Sequence, residues 1–207
     1  MLVAGLTGNY GMGKSSVLAA FGGLGAATLD SDRVVEALLK EPAVVRKISR
    51  LLGPGVLHPS GKINKREVAR RVFGEPSLRI SLERILHPLV FRRVQSFLRT
   101  VKGRSRVAVV EVPLLFEGGY TDRFQRIITV YTIRTVALER LRTSGVTGQE
   151  ALARMKAQLP ISVKKRRSDY LINNSGAMKD TLRQVEKVYD LLVAEAQDGK
   201  TSRTNKA

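Results

Sequence analysis

The chain has 207 residues, no cysteine and a formal net charge of +18. The absence of cysteine excludes disulfide frameworks and cysteine-ligated zinc sites, and it favours a reducing compartment, the cytoplasm. No apolar run approaches the roughly 20 residues that span a bilayer, so we expect a soluble, unsecreted protein without a membrane partner. The length fits one α/β domain with additional structure attached to its core. We assign this domain to residues 1–198.

Five short apolar segments, rich in β-branched residues or flanked by chain breakers, predict five buried strands. In chain order they are LVAGLT (2–7), AATLD (26–30), RVAVVEV (106–112), RIITVYT (126–132) and YLIN (170–173). Helical patterns separate these segments, and strands that alternate with helices are typical of a parallel sheet covered by helices on both faces. We therefore predict an α/β fold with a five-stranded parallel sheet.

A glycine-rich segment, GNYGMGKS, follows the first strand and precedes a helical pattern. Its spacing matches a phosphate-binding loop, in which glycines let backbone N–H groups approach a phosphate at the N-terminus of a helix. The loop predicts a nucleoside triphosphate ligand. Lys14 is expected to reach the β- and γ-phosphate oxygens, and the Ser15 hydroxyl is expected to bind Mg²⁺. The predicted triphosphate-binding residues are Gly8, Asn9, Tyr10, Gly11, Met12, Gly13, Lys14, Ser15 and Ser16.

Three acids follow or end predicted strands. Asp30 and Asp32 lie where the second strand ends, at the sheet edge where doubly wound folds bind ligands. One of them could cap the next helix while the other faces the phosphates, or both could serve only the helix N-terminus. Glu111 lies near the end of the third strand, and a magnesium-bound water could partner this buried acid.

The stretch from about 54 to 104 contains four prolines and no convincing strand, so it predicts a helical insertion. Basic residues dominate it, either as a solvated helix face or as a surface for an acidic partner. A second helical segment, about 134 to 167, ends in KKRR (164–167). Capping-box spacing predicts helices after Asn64, with Glu67, and after Thr147, with Glu150. Residues 199–207 lack apolar periodicity and predict a disordered tail.

Taken together, these motifs resemble the dephospho-coenzyme A kinase family. The matching stretches are GLTGNYGMGKSSV (5–17), LDSD (29–32), LERILHPLV (82–90), VPLLFEGGY (112–120), ALERL (137–141) and KKRRSDYLINNSG (164–176), with Gln158 before the last. The resemblance implies a P-loop kinase core, a helical acceptor-binding insertion and a lid over ATP. It also implies Mg²⁺-dependent transfer of the γ-phosphoryl of ATP to the ribose 3′-hydroxyl of dephospho-coenzyme A, the last step of coenzyme A synthesis.

The same resemblance implies individual roles. Asp32 would be the base for the 3′-hydroxyl proton, Arg140 the lid cation that stabilises the transferring group, and Asn174 and Gly176 neighbours of the adenine of ATP. Residues that would shape or contact the acceptor site are His87, Pro113, Leu114, Leu115, Glu117 and Lys164. From the residues alone, Lys164 and the rest of KKRR could equally be a solvated run.

Three departures from the family pattern bear on these roles. Asn9, Tyr10 and Met12 replace small residues of the loop, and Glu111 stands where aspartate is usual. Ser144 stands where a second lid arginine is common, four residues after Arg140. Either lid closure or ATP affinity is weaker as a result, or Arg142 compensates.

Two other functions stay open at this stage. A kinase for nucleoside monophosphates or other small acceptors would share the loop, and the positive charge would also suit a nucleic-acid-binding ATPase. The favoured reading has ATP and dephospho-coenzyme A as partners and no specific nucleic acid, although non-specific polyanion binding could accompany it. Monomer and small homo-oligomer are both compatible with the sequence.

Overall fold

The structure is a computed structural model that describes residues 1–201, apart from the side chains of Phe73 and residues 199–201. The chain forms two compact units. We call the first the sheet unit; it comprises residues 1–30 and the chain from Thr100 onward. The second, Ser31–Arg99, is the helical unit. The predicted helical insertion therefore belongs to a unit that begins earlier, directly after the second strand.

The sheet has five strands, and each hydrogen-bonded pair is parallel. The strands are β1 (Leu2–Thr7), β2 (Ala27–Asp30), β3 (Val107–Glu111), β4 (Arg126–Tyr131) and β5 (Tyr170–Asn173). Their order is β2-β3-β1-β4-β5. Each observed strand lies within its predicted segment, because short β-branched runs bounded by turns are distinctive in a buried parallel sheet.

Nine helices accompany the sheet in the described part of the chain. They are α1 (Lys14–Gly23), α2 (Ser31–Leu38), α3 (Pro42–Leu52), α4 (Lys65–Gly74), α5 (Pro76–Val101), α6 (Arg134–Thr143), α7 (Gly148–Lys156), α8 (Ile161–Arg166) and α9 (Met178–Thr201). The predicted tail thus begins within α9, and residues 202–207 lie outside the described residues. None of the helices in residues 1–201 combines the length and apolar character that crossing a membrane requires.

The core of the sheet unit lies between one face of the sheet and two helices. Val17 and Phe21 of α1 pack with Val185 and Leu192 of α9 against the strands, and all four side chains are buried. On the other face, an added Cβ at Gly5 would lie 2.6 Å from Leu115. Both faces of the sheet are therefore covered, which explains why its strands are apolar throughout.

The helical unit has its own apolar cluster. Val44, Ile48 and Leu52 repeat every four residues along α3 and therefore share one face of that helix. Val56 and Ile63 complete the buried set, and partly buried leucines of α5 pack against it. The unit is thus held together by an amphipathic helix packed on its neighbours.

Both predicted capping residues begin helices. Asn64 Oδ1 accepts from the Glu67 N–H at 3.2 Å, and Thr147 Oγ1 accepts from the Glu150 N–H at 3.2 Å. The glutamate side chains, however, pair with arginines one turn later, Glu67 with Arg70 and Arg71 and Glu150 with Arg154. The helix starts are therefore confirmed, while the arginines take the carboxylates that would otherwise close the capping boxes.

Candidate active site

The loop between β1 and α1 depends on glycine at two positions. Gly11 has φ 80° and Gly13 has φ 79°, a left-handed conformation that residues with a side chain rarely adopt. Gly13 also directly precedes α1, whose first turn receives no side-chain cap from the residues that the structure describes. An added Cβ at Gly13 would collide with the Asn174 side-chain nitrogen. The predicted phosphate loop is thus a tight turn that leaves the N-terminus of α1 accessible to an anion.

Asn174 holds this loop from the far end of the chain. It directly follows β5 and is 2% exposed. Its Nδ2 donates to the Met12 carbonyl at 3.0 Å, and its Oδ1 accepts from Thr181 Oγ1 at 3.0 Å. The structure therefore brings Asn174 to the loop itself, while Gly176 lies exposed two residues later, before α9.

The first residues of α1 provide the polar groups expected of a phosphate site. Ser15 and Ser16 are exposed in the first turn. Lys14 is half-buried, and its Nζ lies 3.4 Å from the Asn9 carbonyl oxygen. The helix N-terminus contributes partial positive charge at the same place, so the electrostatics favour an anionic ligand.

Arg140 of α6 lies at the loop as well. An added Cβ at Gly13 would be 3.6 Å from Arg140 Nη1. This nitrogen is buried, and it makes no hydrogen bond to any residue within the described part of the chain. A buried donor without an acceptor costs free energy, and a phosphate oxygen at the loop would remove that cost.

Arg142 has a different environment. Its guanidinium donates two hydrogen bonds to Glu139 on the same helix, at 3.0 and 2.7 Å, and its side chain is 75% exposed. The Glu139 hydrogen bond raises the pKa of Arg142. Ser144 donates to the Leu141 carbonyl at 2.8 Å. The Arg142 charge is therefore engaged in a surface pair with Glu139.

Two acids lie at the carboxyl edge of the sheet. Asp30 ends β2 and is in register with Glu111, which ends β3. Glu111 is 3% exposed, whereas Asp30 is half-buried. No group of three or more histidine, cysteine, aspartate or glutamate side chains within the described residues could hold a metal ion. A metal at this edge would therefore need ligands other than a cluster of such side chains.

The segment 113–117 connects to α8 through a buried ion pair. Lys164 is fully buried, with its Nζ 2.8 Å from Glu117 Oε1, and it also donates to the Pro113 carbonyl at 3.3 Å. Burial lowers the pKa of Lys164, and Glu117 opposes that shift. Lys165 and Arg167 stack on the Tyr131 and Phe116 rings. The reading of KKRR as a solvated run is therefore wrong for Lys164.

The two leucines of the same segment differ in exposure. Leu115 is fully buried, with its side chain packed against the sheet at Gly5, whereas Leu114 is 44% exposed. Pro113 is half-buried. Leu114 is thus the leucine of this pair that an acceptor could touch, and Leu115 would act by fixing the segment.

Asp32 and His87 belong to the helical unit. Asp32 is exposed in the first turn of α2. His87 is half-buried in the interior of α5, directly before Pro88, and burial lowers its pKa while Glu83 opposes the shift. The roles of Asp32 and His87 in catalysis and acceptor binding stay predictions.

Contacts between the loop and residues 154–159 were not predicted from the sequence. The Tyr10 N–H donates to Gln158 Oε1 at 2.8 Å, and Asn9 Nδ2 donates to the Leu159 carbonyl at 3.1 Å. Arg154 donates to the Tyr10 hydroxyl at 3.0 Å and lies over its ring. Asn9 and Tyr10, two of the three residues that depart from the family loop, make these contacts.

The matching family model and the curated relatives agree on one family. A family model described as dephospho-CoA kinase matches residues 2–180. A dephospho-CoA kinase of Symbiobacterium thermophilum is 38% identical over 192 residues, which cover 90% of this chain and 79% of the relative. A crystal structure of a Thermus thermophilus protein, TT1252, is 30% identical with a TM-score of 0.83, covering 92% of this chain and 97% of that one. The dephospho-CoA kinase structure from Campylobacter jejuni, 22% identical with a TM-score of 0.68, covers 93% of this chain and 98% of its own and shares the fold.

Proposed function

The chain belongs to the dephospho-CoA kinase family, and on that premise we propose that it phosphorylates the ribose 3′-hydroxyl of dephospho-coenzyme A with ATP. The observation that carries the proposal is Arg140 Nη1, a buried donor beside Gly13 of the phosphate loop that has no acceptor among the described residues. Such a donor fits the charge that develops on a transferring phosphoryl group.

The loop would bind the triphosphate of ATP. Backbone N–H groups at the start of α1 and the Lys14 ammonium supply positive charge to the β- and γ-phosphates. Asn174 fixes the Met12 carbonyl and so keeps the loop in one conformation. A loop that is held by the protein's own hydrogen bonds loses little binding energy to ordering when ATP binds.

The chemical step is an in-line displacement. The 3′-oxygen of the acceptor forms a bond to the γ-phosphorus, the bond from that phosphorus to the β,γ-bridging oxygen breaks, and ADP leaves. Asp32 accepts the 3′-hydroxyl proton. This role is assigned to Asp32 on the family resemblance. Its exposure in the first turn of α2 leaves the carboxylate accessible to a substrate hydroxyl.

Magnesium fits the groups at the loop. Mg²⁺ prefers oxygen ligands and usually keeps several waters, binding through few protein groups together with substrate phosphates. The exposed Ser15 hydroxyl would be a direct ligand, and the buried Glu111 carboxylate would hold a metal-bound water. The ion would neutralise negative charge on the β- and γ-phosphates.

The test is to incubate the protein with ATP, Mg²⁺ and a panel of acceptors, and to locate the new phosphate by phosphorus NMR and mass spectrometry. We expect coenzyme A, phosphorylated at the ribose 3′-oxygen, from dephospho-coenzyme A. Turnover of nucleoside monophosphates without turnover of dephospho-coenzyme A would refute the proposal. ATP hydrolysis that requires a polynucleotide would instead favour a nucleic-acid-dependent ATPase.

A further inference from the structure

The segment 157–160, which joins α7 to α8, lies against the phosphate loop. We call it the connector. Gln158 Oε1 accepts from the Tyr10 N–H at 2.8 Å, and the Leu159 carbonyl accepts from Asn9 Nδ2 at 3.1 Å. Two consecutive connector residues therefore bind two consecutive loop residues, which fixes both the distance between the segments and their register.

The other side of the connector is bound to the segment 113–117. The Leu159 N–H donates to Glu117 Oε1 at 2.9 Å, and the same oxygen lies 2.8 Å from Lys164 Nζ. Lys164 also donates to the Pro113 carbonyl, which accepts from Thr7 Oγ1 at 3.1 Å. Because Thr7 ends β1, from which the phosphate loop continues, these hydrogen bonds close into a ring.

Two buried oxygen atoms of the side chains in this ring have no hydrogen-bond donor among the residues that the structure describes. Asn9 Oδ1 and Glu117 Oε2 are buried and accept no hydrogen bond from any residue in the described part of the chain. Both side chains instead direct their other polar atom at Leu159. Such a network favours one defined geometry, because every alternative arrangement loses hydrogen bonds in a poorly solvated place.

We propose that Gln158 and Glu117 are positioning residues that couple the phosphate loop to the segment 113–117 through the backbone of Leu159. The inference rests on the proposed function, which assigns ATP to the loop, and on the family resemblance, which implies that the acceptor site includes the segment. Lys164 then acts through Glu117, and its buried ammonium does not touch the acceptor. Because of this coupling, a change on one side of the connector alters the binding of the substrate on the other side as well.

The first test replaces Gln158→Met, which keeps the length of the side chain and removes the acceptor for the Tyr10 N–H. We expect the KM for ATP and the KM for dephospho-coenzyme A both to rise by roughly fivefold. Amide hydrogen exchange at Tyr10 and Leu159 should accelerate. The matched control is Gln125→Met, which removes an equivalent bond, from the Val3 N–H to Gln125 Oε1 at 2.7 Å, at the amino end of β1. It should leave both KM values unchanged.

The second test changes the Glu117–Lys164 ion pair on the opposite side of the connector. It removes both charges together, so that neither is left buried without its partner. The double variants Glu117→Gln with Lys164→Met and Glu117→Met with Lys164→Met both lack the ion pair. Only the first keeps an oxygen that can accept from the Leu159 N–H. Replacing a buried ion pair by neutral side chains is commonly tolerated, so both should fold, which thermal unfolding checks. We expect the KM for ATP to be roughly fivefold higher in the Met/Met variant than in the Gln/Met variant.

The results separate the inference from the proposed function. If the unmodified protein does not phosphorylate dephospho-coenzyme A, the proposed function fails. If it does, but Gln158→Met changes the KM for ATP alone, or Gln125→Met causes the same losses, the inference is overturned. Equal KM values for ATP in the two double variants would overturn it as well.

Discussion

One ion pair of the sheet unit is buried, in contrast to two close but exposed pairs of the helical unit. In the sheet unit, Lys164 is fully buried and its partner Glu117 is 17% exposed. In the helical unit, the Lys65–Glu36 and Arg93–Glu41 pairs are closer, at 2.6 Å each, but mostly exposed. Water screens the second kind of pair, so proximity adds little to its stability. Burial, more than distance, decides which charges fix the geometry of this protein.

Substitutions in the two units should affect different properties of the protein. The sheet unit places polar atoms so that the loop and its neighbours keep one arrangement, whereas the helical unit depends on the apolar face of α3. We therefore expect charge changes to affect turnover in the first unit and apolar changes to affect stability in the second. The proposed base, Asp32, is the informative exception, because it is an exposed charge of the helical unit.

Asp32→Asn tests that exception and carries the largest expected effect. Removing a positioned base costs about 10²- to 10⁴-fold in turnover, so kcat should fall by that factor. ATP affinity measured by calorimetry should stay the same, since the amide has the same shape. Replacement of the neighbouring exposed Arg33 by Gln is the control and should keep kcat within a few-fold. Near-normal turnover of the Asp32 variant would remove this residue from the mechanism.

Lys14→Ala should come next. The ammonium is proposed to reach the β- and γ-phosphates, and loss of one such stabilising donor costs roughly 10²- to 10³-fold. We expect kcat/KM for ATP to fall by that amount, with weaker ATP binding in calorimetry. The exposed Lys187 on α9 offers a control for the loss of one positive charge. Equal effects of Lys14→Ala and Lys187→Ala would mean that net charge alone attracts the nucleotide.

Ile48→Ala tests the apolar side of the comparison. Ile48 is fully buried in the helical unit, and truncation to alanine at such a site lowers the free energy of unfolding by about 2 to 5 kcal/mol. Urea unfolding followed by circular dichroism measures the change, and kcat at low temperature should be retained by the molecules that stay folded. The adjacent exposed Lys47→Ala should be close to neutral. An unchanged midpoint for Ile48→Ala would mean that this cluster does not hold the unit together.

The smallest expected effect is on the pH dependence of the free energy of unfolding. Hydrogen bonds from Arg70 and then Arg71 lower the pKa of Glu67 to about 2. Because the pKa is lower when folded, the contribution to stability is present above about pH 4.5 and is lost as the pH falls towards 2. An NMR titration of the Glu67 carboxyl measures the pKa. Glu67 is half-buried, but its partner Arg70 is 71% exposed and water screens the pair, so Glu67→Gln should alter acid unfolding only slightly. A normal carboxyl pKa would contradict the observed pairing.

The sequence predicts those parts of this molecule that depend on local pattern. The β1 segment is a short apolar run and the β4 segment a short β-branched one. The spacing of Gly8, Gly13 and Lys14 identifies the loop by itself. The sequence does not predict contacts such as that of Asn9 with Leu159, which are 150 residues apart and leave no periodicity. It also left the environment of Lys164 open, because a run of four basic residues looks the same whether it is solvated or buried.

The hydrogen bond from Asn174 to Met12 has a consequence for how the protein is made. The loop leaves the ribosome well before the side chain that fixes it, which is 162 positions further along the chain. A nascent chain that ends before β5 therefore contains the glycines and the lysine of the loop but lacks Asn174, which fixes them. Tight nucleotide binding should accordingly begin only after β5 and Asn174 have been translated, so that retention on an ATP resin would report that all five strands have been synthesised and have folded.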